Sequence, residues 1–282
     1  MKSALWERLE PLLPSPPQHA EPLSGGCIAE VYAVTLANGD RVVVKTGSDT
    51  LALEARMLDH LAEQSDLPVP AVRAAEDDLL VLEHLPGTSH ISKDAERHAA
   101  DLLANLHSTP APHYGFTYDT LVGSLPQPNP PTDDWVAFFR DQRLLYMADL
   151  AHRAERLPSS VYDRLKNLAE NLHEHLDTPA HPSLIHGDIW SGNVLAEGGR
   201  ITGLLDPALY YADAEIELAF IALFNTFGDA FFDRYQEHRP IRDGFFEQRK
   251  DLYNLYPLLV HVRLFGGSYL TSVTRTLDRL GY

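Results

Sequence analysis

Cysteine is almost absent: the chain of 282 residues has one, Cys27. A single thiol excludes an intrachain disulfide and a cysteine-based metal site. Basic residues are scarce as well. Lys and Arg number 23 against 40 Asp and Glu, a formal net charge of −17. That balance argues against nucleic acid and anionic membrane as partners, since both require positive potential. It suits a cationic or amine-bearing partner. Long apolar runs are missing too, and none approaches the ~18 residues that span a bilayer. No signal-peptide core opens the chain, because Pro11, Pro14, Pro16 and Pro17 follow Leu5-Trp6-Glu7-Arg8 directly. A cytoplasmic location is expected. The 14 histidines are scattered without metal-ligand spacing, and there is no internal repeat or low-complexity tract. Hydrophobic and charged fractions of 44% and 22% are those of a folded protein, and the length suits one large domain or two lobes.

The most informative stretch is Leu184-Ile185-His186-Gly187-Asp188-Ile189-Trp190-Ser191-Gly192-Asn193. Asp206 follows after the apolar Ile201-Thr202-Gly203-Leu204-Leu205. An Asp, an Asn five residues on and a second Asp beyond a short hairpin form the kinase pattern for phosphoryl transfer. In that pattern Asp188 accepts the proton of the substrate hydroxyl, while Asn193 and Asp206 hold Mg²⁺ against the ATP phosphates. A strand, a turn at Gly198-Gly199 and a return strand would bring Asn193 and Asp206 to one end of a hairpin, where one cation can bridge them. Gly, Asp and Asn are also ordinary turn formers, so the spacing and not the single residues carries the reading.

The N-terminal region supplies the rest of a nucleotide site. Gly25-Gly26-Cys27 precedes alternation at Val31–Leu36, the hairpin signal Asn38-Gly39 and a return strand Arg41–Lys45. Paired glycines let backbone N–H groups face phosphate oxygens. Lys45, carried by the later strand, can reach the α and β phosphates, a layout unlike that of the GxxxxGK[ST] loop. Residues 49–64 show helical spacing (Leu53, Met57, Leu58, Leu61), with Asp49 as the expected N-cap and Glu54 as the natural partner of Lys45. Two more strands are expected at Val69–Ala74 and Leu79–Leu82. Glu83-His84-Leu85 then reads as a connector whose backbone at Glu83 and Leu85 meets the adenine edge.

Beyond the connector the pattern is helical. Helices are expected over residues 3–13 at the start of the chain, from Asp94 to His107, over 134–156 and over 160–176. The segment 112–133, rich in Pro, Gly, Tyr and Asn, reads as a long loop of the kind that is often functional. An apolar helix from Glu215 to about Phe227 should be buried, and two helices broken near Gly266-Gly267 should fill Phe245–Leu280.

With these residues in view, the chain resembles the fructosamine kinase (ketosamine 3-kinase) family, within the aminoglycoside phosphotransferase and protein-kinase-like group. The resemblance rests on His186–Asn193, on Asp206-Pro207-Ala208 with Tyr210-Tyr211, and on Gly25-Gly26-Cys27-Ile28. It also rests on Thr117–Gly123 with Gln127, Asn129, Trp135, Phe138, Phe139 and Arg143, and on Tyr256-Pro257-Leu258, His261 and Phe265–Tyr269. Nearly the whole chain is covered. Ile189 stands where the family usually has Leu, and Glu217 where it usually has an Asp that braces the catalytic loop.

The resemblance implies an α+β, protein-kinase-like two-lobed fold. Residues 1–85 would form a small lobe of antiparallel sheet with one main helix, and residues 86–282 a larger, mainly helical lobe. It implies an ATP- and Mg²⁺-dependent kinase that phosphorylates the 3-hydroxyl of ketosamines, small or attached to protein lysines. The 3-phosphate then eliminates and frees the amine, which is deglycation. The implied roles are Asp188 as base and substrate contact, Trp190 against the sugar, Asn193 and Asp206 on the metal, and Lys45, Glu54, Gly25, Gly26, Cys27, Glu83 and Leu85 around the nucleotide. The alternatives are a kinase of the same fold acting on an aminoglycoside, choline or homoserine, and a non-catalytic pseudokinase. Cys27, in a loop lined with phosphate-facing N–H groups, is expected to be reactive and to support a redox-dependent homodimer.

Overall fold

The computed structural model describes residues 2–23 and 29–282. In chain order the elements begin with α1 (Lys2–Leu9), β1 (Pro17–Pro22), β2 (Glu30–Leu36), β3 (Arg41–Thr46), α2 (Leu51–Gln64), β4 (Val72–Glu76), β5 (Leu79–Glu83) and α3 (Lys93–Leu106). They continue with β6 (Thr120–Val122), β7 (Leu125–Gln127), α4 (Trp135–Phe138), α5 (Leu145–Arg153), α6 (Ser159–Glu170), β8 (Ser183–Ile185), β9 (Val194–Glu197) and β10 (Arg200–Leu204). The last are β11 (Tyr210–Ala212), α7 (Glu215–Phe224), α8 (Asp229–His238), α9 (Lys250–Phe265) and α10 (Ser268–Leu280). Two compact units result, one of Met1–Ala99 with Ser191–Pro207, the other of Ala100–Trp190 with Ala208–Tyr282.

The first unit is built on an antiparallel sheet in the order β1-β2-β3-β5-β4. Its strands alternate, so each buries two sets of side chains. Val34, Leu36, Val42, Val44, Leu79 and Val81 pack with Leu9 of α1 on one face. Leu80 and Leu82 pack with Leu51, Ala55 and Leu58 of α2 on the other. β1 was not foreseen from the sequence because Pro17 and Pro22 bound it. Proline lacks an N–H and is tolerated at a sheet edge, which is where β1 lies. β4 starts at Val72, later than the Val69 expected, after Pro68 and Pro70. The residue preceding α2 is Thr50 and not Asp49, and no side chain caps the helix.

This unit runs past residue 85, the boundary expected from sequence, and takes in the β9–β10 hairpin. Thr88 and Ala196 exchange backbone hydrogen bonds at 3.0 and 2.8 Å, the Leu204 N–H donates to Pro68 O (2.8 Å), and the Ile201 N–H donates to the His98 ring (3.0 Å).

The second unit is mainly helical. Its centre is α7, apolar from Leu218 to Phe224 and buried from Glu215 to Ile221, beside α9, buried from Leu252 to Val260. α7 ends at Phe224, short of the Phe227 expected, because Asn225 turns left-handed (φ 49°). α8 was not anticipated. The helix expected over 134–156 is interrupted by π-helical turns over Phe139–Leu144. The long loop over 112–133 contains the β6–β7 hairpin. β8 and β11 pair antiparallel, Ile185 opposite Tyr210.

Candidate active site

In the first unit, the β9–β10 hairpin pairs Val194 with Leu204, and the Leu205 N–H donates to Asn193 O at 2.9 Å. Asn193 and Asp206 therefore flank the same end of one hairpin. Asp206 has φ +53°, a left-handed backbone that Asp tolerates better than most residues. On β3, Lys45 is 8% exposed, and its Nζ donates to Glu54 Oε1 of α2 at 2.7 Å and to Asp206 Oδ1. Burial works to lower the Lys45 pKa, and the carboxylates of Asp206 and Glu54 overcome it and hold the ammonium charged. Glu54 is pushed the other way, upward, by its own burial against the pull of Lys45. The ammonium is the firmer of the two charges, since two carboxylates share it.

Among the described residues no group of three or more His, Cys, Asp or Glu could hold a metal ion. Asn193 and Asp206 offer two oxygen donors, which fits Mg²⁺, an ion usually held by one or two protein groups together with phosphates and water. Glu83 ends β5 with its N–H donated to Ala71 O at 2.9 Å, so a contact with a base would use its carbonyl. Leu85 packs against Gly203, where a Cβ would stand 2.9 Å from Leu85 Cδ1. Gly25, Gly26 and Cys27 lie outside the described residues.

In the second unit, β8 leads into His186-Gly187-Asp188. Gly187 has φ +88°, and a Cβ there would stand 2.2 Å from Ala208 O, so only glycine fits. Its N–H donates to Glu217 Oε1 at 2.6 Å, and the His186 N–H reaches Glu217 Oε2 at 3.3 Å. The longer side chain of Glu217 therefore makes the bracing contact expected of an Asp. The Asp188 N–H donates to His186 Nδ1 (3.3 Å) and the Thr226 hydroxyl to Ile189 O (2.9 Å), which fixes the stretch from both sides. Asp188 is half-buried. Trp190 is 40% exposed, so it is not a core residue.

His107 and its partner Tyr235, both in this unit, were missed from the sequence. His107, at 0% exposure, bonds through Nε2 to Glu217 Oε2 (2.8 Å) and through Nδ1 to the Tyr235 hydroxyl (2.7 Å). An ionised carboxylate only accepts, so Nε2 carries the proton and Nδ1 accepts from Tyr235. Burial alone would raise the Glu217 carboxyl. The bond from His107 and the Gly187 N–H outweigh it and hold the carboxyl below its ordinary range. The available signal was an apolar face of α3 running directly into a histidine.

The fructosamine kinase family model matches residues 6–281. The chain belongs to the fructosamine kinase family. Among curated relatives of this fructosamine kinase family member, a probable ketoamine kinase of Synechocystis sp. is 37% identical over 277 residues, covering 93% of this chain and 90% of its own. The chloroplastic protein-ribulosamine 3-kinase of Oryza sativa subsp. japonica is 38% identical over 167 residues, 58% of this chain and 48% of its own. A crystal structure of a candidate fructosamine-3-kinase from Thermobifida fusca superposes with a TM-score of 0.88 at 30% identity, covering 98% of both chains. An aminoglycoside phosphotransferase solved with ADP and hygromycin B has a TM-score of 0.68 at 15% identity over 99% of this chain and 97% of its own. That last likeness shows the kinase-like α+β fold. The family member is a phosphotransferase, and its family implies use of ATP. No helix among the described residues is long and apolar enough to cross a membrane.

Proposed function

We propose that this protein transfers the γ-phosphoryl group of ATP to the 3-hydroxyl of ketosamines, the sugar adducts of amines and of protein lysines. The observation that carries the reading is Lys45 Nζ held between Glu54 and Asp206, with Asn193 bonded to the residue before Asp206. In this reading Lys45, kept charged by two carboxylates, neutralises phosphate oxygens. Asn193 and Asp206 hold Mg²⁺. The bound ion supplies charge neutralisation on the transferring phosphoryl group.

Asp188 takes the proton of the attacking hydroxyl, with its backbone aimed by Glu217 through Gly187. Trp190, exposed on the same stretch, offers an indole face to the sugar. The phosphorylated ketosamine then eliminates phosphate and releases the amine, so the outcome is deglycation. The acidic chain suits the protonated amine that distinguishes these adducts from free sugars. Gly25 and Gly26 are assigned to the triphosphate and the Glu83–Leu85 backbone to adenine on the sequence pattern. A cytoplasmic setting follows from the same sequence reading. So does a redox-dependent homodimer: with one cysteine in the chain, any disulfide of Cys27 joins it to another molecule.

The deciding experiment compares kcat/KM for ribulosyl-lysine, fructosyl-lysine and erythrulosyl-lysine with that for an aminoglycoside, each with Mg·ATP. Turnover of at least one ketosamine, with release of free lysine, and none of the aminoglycoside is expected. Exclusive turnover of the aminoglycoside would replace the reading with the alternative kinase. Nucleotide binding without any turnover would replace it with a pseudokinase.

A further inference from the structure

Gln127 closes the β6–β7 hairpin and is 1% exposed. Its Nε2 donates to Thr120 Oγ1 at 2.8 Å and to Ala208 O at 3.0 Å, and its Oε1 accepts from the Tyr256 hydroxyl at 2.8 Å. The carbonyl of Ala208 can only accept, so the amide nitrogen must face it. Three partners from β6, α9 and the residues before β11 thus fix one carboxamide in one orientation.

The Ala208 peptide is the connection to chemistry. Its N–H donates to His186 O at 2.8 Å. Its carbonyl oxygen packs so closely on Gly187 that a Cβ there would overlap it. The two residues that lead into Asp188 therefore rest on Ala208, and Ala208 is held from its far side by Gln127. The hairpin that carries Gln127 is itself locked. The fully buried Arg143 guanidinium donates to Pro128 O (2.7 Å) and to Asn129 Oδ1 (2.6 Å), and it lies 3.9 Å from the centroid of the Tyr210 ring.

We propose that Gln127 is a positioning residue for phosphoryl transfer: by fixing the Ala208 peptide it fixes the His186-Gly187 backbone that aims Asp188. The inference rests on the reading of Asp188 as the base. Glu217 holds that backbone by its N–H groups and Ala208 holds it by the His186 carbonyl, so the two supports are complementary. Losing one lets the loop shift while the rest of the unit stays packed.

Gln127→Glu and Gln127→Met test it in the full chain. The first keeps size and the acceptor for Tyr256 but loses the amide donors, and the second fills the space without polar atoms. Both should lower kcat about 10- to 100-fold, the effect of misplacing a catalytic group by roughly an ångström. KM for ATP should stay within about twofold, because uniform binding is untouched. Hydrogen exchange should accelerate at the Ala208 amide and at residues 186–188 and not across α9. Thr120→Ser, which keeps the hydroxyl that Gln127 and Asn129 bond and loses only a buried methyl, should turn over as the wild type does.

A folded Gln127 variant with kcat within about threefold of wild type, or with wild-type exchange at Ala208, overturns the inference. So does Thr120→Ser matching the loss in Gln127→Glu, since the effect would then track packing of the hairpin. If neither Gln127 variant folds, Gln127→Asn decides by the same split, since it keeps every polar atom and is one methylene too short to reach. Turnover of a ketosamine by the wild type tests the functional reading separately, and the exchange measurement does not depend on turnover.

Discussion

Glu217 Oε1 accepts the Gly187 N–H at 2.6 Å while its Oε2 accepts from the His107 ring at 2.8 Å. One buried carboxylate thus ties α3, α7 and the stretch carrying Asp188 to a common point. The chain length of glutamate is what lets its two oxygens serve both partners.

Stability should depend on that carboxylate with a defined sign. Its folded pKa lies below the ordinary range, because the His107 and Gly187 bonds outweigh burial. The contribution is therefore fully present above the unfolded value of about 4.3 and is lost as pH falls through the lower folded value. Glu217→Gln should be destabilised at pH 7, and the gap to wild type in thermal unfolding should close in acid. A gap independent of pH would mean that the charge does not matter there. Glu217→Ala, which leaves the His107 and Gly187 N–H groups without their acceptor, should cost roughly 1–3 kcal/mol per stranded group.

The Asp188, Asn193 and Asp206 spacing was legible because a hairpin is local: its turn at Gly198-Gly199 and its apolar strands are adjacent in sequence. The pairing of Lys45 with Glu54 was legible from order along the chain, nine residues apart. His107 was not. Its partners lie 110 and 128 residues away, and no local period marks a histidine as buried and doubly bonded. β1 escaped because prolines usually argue against a strand. The π-helical turns escaped because Arg143, which they bury with Phe139 and Leu144, looks like surface charge in a helical pattern. Gln127 showed in the sequence only as part of a family resemblance, since its role comes from a backbone carbonyl 81 residues on.

Lys45→Met removes the cation that two carboxylates share. A charge aimed at the transferring phosphoryl group is worth about 10²–10³ in kcat, so a loss of that size is expected. Glu54→Gln should be milder, because Asp206 still holds the ammonium. Steady-state kinetics on a ketosamine compare the two, and an equal loss in both would show that Glu54, and not the charge of Lys45, sets the geometry.

Asp188→Asn and Asp206→Ala should fail in different ways. Asp188→Asn keeps the shape and removes the base, so kcat should drop by about two to four orders of magnitude with nucleotide affinity little changed. Asp206→Ala removes an oxygen donor and should weaken ADP binding in the presence of Mg²⁺ more than in its absence. Calorimetric titration of ADP with and without Mg²⁺ separates the two. Near-wild-type turnover by Asp188→Asn would remove Asp188 from the chemistry.

Trp190 offers the most direct probe of substrate choice. A core tryptophan would be almost fully buried, and replacing it would lower stability by several kcal/mol. Trp190 is instead 40% exposed, while the neighbouring Ile189 is fully buried and its carbonyl is anchored by Thr226. The backbone of the stretch is therefore held without the indole, which remains available to cover an apolar sugar face. Trp190→Ala should leave the unfolding temperature nearly unchanged, raise KM for ketosamines, and leave KM for ATP as it was. Trp190→Phe should recover part of the loss, since a smaller aromatic face still covers the ring. Equal effects on both substrates, or a marked drop in unfolding temperature, would make Trp190 a structural part of the loop and leave the sugar contact to other residues of the second unit.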